Sequence, residues 1–150
     1  MRFAVLALTL FAACSGGGED YPETYNCVQE TSDDDLLIGF SKNGEEGLLN
    51  FKLVNVSQAP PARGFNTWDI EISTVASVAP VENATLDVYP FMPAHGHGAG
   101  IEVEVTPMPT AGQYELEPIN LHMPGVWEVT ITAESDAGTD IAVFRPCIPN

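Results

Sequence analysis

The chemistry available to this chain is concentrated in two short segments. Met92-Pro93-Ala94-His95-Gly96-His97-Gly98 holds two of the three histidines, and His122-Met123-Pro124-Gly125 holds the third. Each segment also contains a Met-Pro step. Imidazole and thioether together suit soft or borderline metals, Cu(I) above all, whereas three imidazoles alone suit Cu(II) or zinc. The glycines flanking His97 remove side-chain bulk and widen backbone choice, so both rings can turn toward one point. His95, His97 and His122 are therefore the leading candidate metal ligands, followed by Met92 and Met123, with copper ahead of zinc. The plain alternative is two Gly- and Pro-rich loops carrying stray histidines, because a His-Gly-His triplet is an unspecific motif.

Such loops need a frame that brings them together. Trp68-Asp69-Ile70-Glu71-Ile72, Ile101-Glu102-Val103-Glu104-Val105 and Trp127-Glu128-Val129-Thr130-Ile131-Thr132 alternate apolar and polar residues. That period marks strands with one face buried and one wet. Further strands are expected at Thr24 to Gln29, Leu36 to Ser41, Leu48 to Val56, Thr85 to Tyr89, Gln113 to Leu116 and Asp140 to Phe144. Asn43-Gly44 reads as a hairpin turn between Phe40 and Leu48. Seven to nine short strands with this punctuation, and no convincing amphipathic helix, predict an all-β fold: an immunoglobulin-like antiparallel β-sandwich, ahead of a closed barrel. Trp68 and Trp127 are expected in its core. Tyr114 is a candidate corner tyrosine. Loops of a sandwich cluster at its two ends. Ile101 to Leu116 reads as two strand lengths, up and back, so His122 is expected to return to the end that holds His95 and His97.

The first 13 residues place a charge before an apolar run, which predicts an export signal too short to span a bilayer. Phe11-Ala12-Ala13-Cys14-Ser15 resembles a bacterial lipobox, and that resemblance implies cleavage before Cys14 and lipid attachment to its thiol. Residues 14–22 then comprise the lipidated cysteine and a flexible tether, with the folded domain from 23 to 150. Cys27 and Cys147 remain, an even pair in an exported domain, and a disulfide between them is expected ahead of metal binding by either thiol. The net charge is −16, with 21 acidic residues against five basic ones. Phosphate binding needs Lys and Arg, so nucleic acid is excluded as a partner. Asp33-Asp34-Asp35 and Glu45-Glu46 read as solvated loop residues, and neither run has an EF-hand pattern. Asn55-Val56-Ser57 and Asn83-Ala84-Thr85 match glycosylation sequons, which carry no weight in a bacterial lipoprotein.

From about Thr67 to Phe144 the chain resembles the YtkA-like/FixH-like family of exported domains. The resemblance rests on the alternating strand before Val78-Ala79-Pro80, on Met92 to Gly98, on Gly112-Gln113-Tyr114, and above all on Asn120-Leu121-His122-Met123-Pro124-Gly125-Val126-Trp127-Glu128-Val129. It implies an immunoglobulin-like sandwich with a role in copper handling at the cell envelope. Carried over by position, it marks His95, His97 and His122 first, then Met92 and Met123.

Gly-x-Ser-x-Gly, His-Glu-x-x-His and P-loop patterns are all missing from the sequence. The chain is therefore expected to be a non-enzyme, periplasmic or surface-facing. One reading is a lipid-anchored copper carrier or buffer that passes metal to an envelope protein or membrane assembly. The other is a metal-free sandwich that binds another envelope protein through its loops.

Overall fold

Alternation of residue type along the chain becomes alternation of burial in space. A computed structural model describes residues 25–150. The signal over residues 1–13, Cys14, the tether of residues 14–22 and the first two residues of the predicted domain lie outside the described residues. In chain order the strands are β1 (Ser41–Asn43), β2 (Leu49–Val56), β3 (Gly64–Thr74), β4 (Thr85–Met92), β5 (His97–Gly98), β6 (Glu104–Pro107), β7 (Gln113–Leu121), β8 (Gly125–Val126), β9 (Glu128–Ser135), β10 (Gly138–Phe144) and β11 (Cys147–Ile148). Eight of them are three residues or longer, within the range expected. They form antiparallel sheets in the orders β1-β2-β3-β7-β6 and β10-β9-β4-β5, with a small β11-β8 ladder at one end. Among the described residues there is no α-helix, only a 3-10 turn at Cys27–Gln29.

The inner faces of the two larger sheets make one core. Trp68, Trp127, Phe51, Ile70, Ile72, Leu116, Val129 and Ile131 are fully buried in it. Both tryptophans are core residues, as their strand positions predict. Tyr114 is also buried, and its hydroxyl donates to the Val81 carbonyl and accepts from the Ala84 amide. It thus pins the loop before β4, a segment about thirty residues away, rather than its own corner.

Four expectations need correction. Within the segment predicted as a strand from Thr24 to Gln29, the described Cys27–Gln29 form the 3-10 turn, because the Asn26 side chain accepts from the Val28 amide and closes the chain locally. Leu36 to Ser41 is a strand only from Ser41, because Gly39 takes a positive φ of 94° and turns the chain. The strand predicted from Ile101 begins at Glu104, after Gly100 at a φ of 71°. Asp34 is not a solvated residue: its carboxylate takes Lys42 Nζ at 2.6 Å and the Arg145 amide at 2.7 Å.

Two long-range ties close the domain. The disulfide Cys27–Cys147 joins residues 120 apart. In the chain-entropy view, which is one of several, closing such a loop stabilises by about 4–5 kcal/mol. Cys27 sits in the 3-10 turn and Cys147 in β11, whose partner β8 follows the His122 segment directly.

The second tie is Asp140, which is fully buried. Its carboxylate accepts from the amides of Glu46, Leu48, Leu49 and Ile141 at 2.8–2.9 Å. A carboxylate on β10 thereby holds the β1–β2 hairpin of the opposite sheet. The approach is so close that a Cβ on Gly44 would lie 2.2 Å from Asp140 Cγ. Burial pushes the Asp140 carboxyl up, but the four amide bonds outweigh it and hold the group below its ordinary 3.8.

A carboxyl depressed in the native state contributes stability that is complete above its unfolded value, about pH 4, and is lost as the pH falls through the native value. Asp140→Asn should lower stability by about 2 kcal/mol or more at neutral pH, since it replaces a buried charged acceptor of four backbone amides. The same change should flatten the acid limb of the stability curve below about pH 4. Urea unfolding followed across pH measures both effects. A variant with the parent's acid limb would refute this role.

Candidate metal centre

The hairpin between β6 and β7 carries the chain out and back, so the two histidine segments meet at one end of the sandwich. His97 lies between the other two rings. Its centroid is 5.7 Å from that of His95 and 5.9 Å from that of His122. With metal–nitrogen bonds of about 2.0–2.1 Å, two imidazoles on one ion have centroids no more than about 6.5 Å apart. Both separations fall inside that limit. Orientation is another matter. The His97 and His122 planes are stacked 17° apart, and the His95 plane is tilted 55° from His97. Among the described residues, no three His, Cys, Asp or Glu side chains are gathered as a metal-binding group.

Each ring has a distinct setting. His97 is exposed and belongs to the two-residue strand β5, paired with Met92, rather than to an open loop. The turn before it closes through the Gly96 amide on the Met92 carbonyl, with Gly96 at a φ of 67°. His97 Nδ1 lies 3.0 Å from the Gly98 carbonyl oxygen. A carbonyl can only accept, so this contact places the proton on Nδ1 and leaves the Nε2 lone pair for a ligand. His122 is half-buried and meets the Trp127 ring edge-on at 5.3 Å. Its Nδ1 is buried and has no hydrogen-bond partner. Leaving such an atom unmatched costs about 1–3 kcal/mol, so a ligand at this nitrogen would relieve a real penalty.

The backbone around His122 is held from both sides. Arg63 Nε donates to the His122 carbonyl at 2.9 Å, and Trp127 Nε1 donates to the Met123 carbonyl at 2.9 Å. The Trp127 amide itself bonds to Pro146, so the indole fills the break between β8 and β9. Gly125 has a φ of 124°, and a Cβ there would meet Met92 Cε at 2.6 Å and the Tyr25 ring at 3.8 Å. Tyr25 is fixed in turn by donating its hydroxyl to Glu30 at 2.5 Å. That bond raises the Tyr25 phenol to about 12, and together with bonds from Ser32 and Thr31 it lowers Glu30 to about 2.

The two methionines are less available than the histidines. Met92 is the last residue of β4 and is only 2% exposed, with its methyl under Gly125. Met123 is partly buried against the core. Both thioethers therefore pack toward the core. The three histidines are brought together as the strand pattern predicts. Arg63, Tyr25 and the part of Trp127 that walls the site are not legible in the sequence, although the Gly-Val-Trp spacing places an indole near His122. A cleft of about 490 Å³ lies elsewhere, against Cys27, Pro60, Pro61 and Pro146, and has no histidine in its lining.

The edge contact between His122 and Trp127 gives a direct readout. Cu(II) bound at His122 should quench the fluorescence of Trp127 strongly. In a Trp68→Phe background, which leaves Trp127 as the one indole, a copper titration should quench most of the emission, and His122→Ala should reduce the quenching. Unquenched emission at saturating copper would place the ion away from His122.

A model of the YtkA-like family matches residues 47–132, more than half of the chain. The match starts in the turn before β2, upstream of Thr67 where the resemblance was first legible, and stops within β9. No curated protein and no solved structure matches the chain.

Proposed function

This chain belongs to the YtkA-like family, and from that membership we propose that it is a copper-binding carrier or buffer of the cell envelope. The observation that carries the proposal is the row of three imidazoles, each within 6 Å of the next, ending at a buried His122 nitrogen with no partner. His95, His97 and His122 would hold the ion, with Met92 and Met123 as further, thioether ligands. Two imidazoles with one thioether favour Cu(I), which places copper ahead of zinc. The protein contributes position. The β4–β5 hairpin presents His97 with one nitrogen committed, and the Arg63 and Trp127 bonds hold the His122 backbone still. No bond making or breaking is required of it, and we read it as a non-enzyme.

Lipid on Cys14 would hold this domain at a membrane on the periplasmic or outer side, where it would pass metal to an envelope protein or membrane assembly. One observation favours the second reading, a metal-free module that binds another envelope protein through its loops. The stacked rings are not gathered on a common point, so binding copper requires them to turn.

Replacing His95 and His97 together should abolish stoichiometric copper binding and leave folding intact, because neither ring is part of the buried core. His122→Ala should weaken binding less, and Met92 and Met123 changes should affect Cu(I) more than Cu(II). Binding should weaken in acid, where protons compete for the imidazoles. Titration with Cu(I), Cu(II) and Zn(II) reads all of this. A double variant that binds one copper as tightly as the parent would favour the metal-free module. The anchor has its own test. Cys14→Ala should move the protein from the membrane fraction to the soluble one, and unchanged membrane association would remove lipidation from the account.

A further inference from the structure

The sheet β10-β9-β4-β5 has one edge that the fold covers and one that it leaves open. At the β10 edge, Glu45 donates to the Ile141 carbonyl and Lys42 Nζ to the Val143 carbonyl. The opposite edge is β4. β5 pairs with it only at Phe91 and Met92, and Ala99 adds one bond to the Pro90 carbonyl. Bonding direction alternates along an antiparallel strand, so Leu86 and Val88 point their N–H and C=O groups the same way as Pro90. No backbone or side-chain partner meets those four groups among the described residues. The other sheet has shorter edges, β1 of three residues and β6 of four ending in Pro107.

Beyond Ala99 the chain peels away from β4 and leaves a cleft of about 370 Å³ between Asp87 to Pro90 and Ala99 to Glu102. Tyr89 and Ile101 stand exposed beside it. Asp87 and Glu102 line it, and neither forms a salt bridge among the described residues. The described basic residues are placed elsewhere: Lys42 with Asp34, Lys52 with Glu71, Arg145 with Glu128, and Arg63 on His122.

We infer that the open edge of β4 is a docking site for an extended segment of a partner protein, added as a further strand. Leu86 and Val88 supply the main-chain ladder, as in other cases of strand addition. An apolar side chain enters the cleft between Tyr89 and Ile101, and flanking Lys or Arg residues meet Asp87 and Glu102. The chain's own N-terminal segment is the wrong occupant, since residues 15–24 carry Glu19, Asp20 and Glu23 and no base. A strand docked at Val88 lies in line with β5, about 13 Å along the edge from the level of Met92 and His97. It would bring a partner to the histidine end. The inference rests on the sheet edge and goes beyond the copper reading, and its test uses no metal.

Two ten-residue peptides serve as probes, one alternating Lys and Val and one alternating Glu and Val, with amide hydrogen exchange in the full chain followed by NMR. The Lys/Val peptide should slow exchange at Leu86 and Val88, more weakly at higher salt. Asp87→Lys with Glu102→Lys should reduce its affinity by about tenfold or more, because both changes set like charges against it. These surface positions leave the fold intact, so lost binding cannot be ascribed to unfolding. The proposal is overturned if the Lys/Val peptide leaves the two amides unchanged, or if the Glu/Val peptide binds as well. It is also overturned if both amides are already as slow as the paired amides of β9 before peptide is added. That result would assign the edge to the chain's own N-terminal segment or to a second copy.

Discussion

The burial of one indole organises the histidine end of this domain. Trp127 is fully buried, and unlike the ring N–H of Trp68 its own is matched, by the Met123 carbonyl. That bond fixes the chain between His122 and Gly125 before any ligand is considered. It also presses the His122 ring against the indole edge and buries its Nδ1. The same residue interrupts the strand, because its amide bonds to Pro146 instead of continuing β8 into β9. A buried tryptophan of this kind is worth about 3–5 kcal/mol against alanine. Core packing and site geometry are therefore the same contacts viewed from two sides.

Much of the frame is legible in the sequence because its cause is local. Strict alternation from Trp68 to Ile72 and from Val129 to Thr132 has one physical solution, a strand with a wet face. The meeting of His95, His97 and His122 follows from counting strand lengths between them. What is not legible depends on partners far away in the chain. Leu36, Leu37 and Ile38 look like a buried strand, yet the backbone turns at Gly39 and leaves Leu37 and Ile38 exposed. In β10, hydropathy alone would point Ile141 and Val143 inward. The structure instead buries Asp140 with Ala142 and Phe144, because three amides of a distant hairpin need an acceptor there. Met92 reads as a loop residue beside its histidines, but it closes a strand and packs under Gly125. The missing code there is the absent Cβ at position 125.

The acidic composition also divides in a way that sequence does not reveal. Most described carboxylates sit at outward strand positions or in turns and loops, where solvation accounts for them. Asp34 and Asp140 do structural work: one joins the β1 region to Arg145 across the ladder of the last strands, and the other joins two sheets. A chain with few bases has committed its described Lys and Arg residues to internal partners. Its outer face is therefore left strongly negative, and cations of any kind approach it at raised local concentration.

Tyr25 packs beside Gly125, and the disulfide ties the adjacent turn to β11, so the chain enters the domain at the same end that holds the three rings. Between Cys14 and Tyr25 the backbone can stretch no farther than about 40 Å. For a domain moored at Cys14, that distance is a working radius. The three rings would then lie on the side of the domain nearest its mooring. Lengthening or shortening that stretch would change the radius without altering a residue of the histidine end.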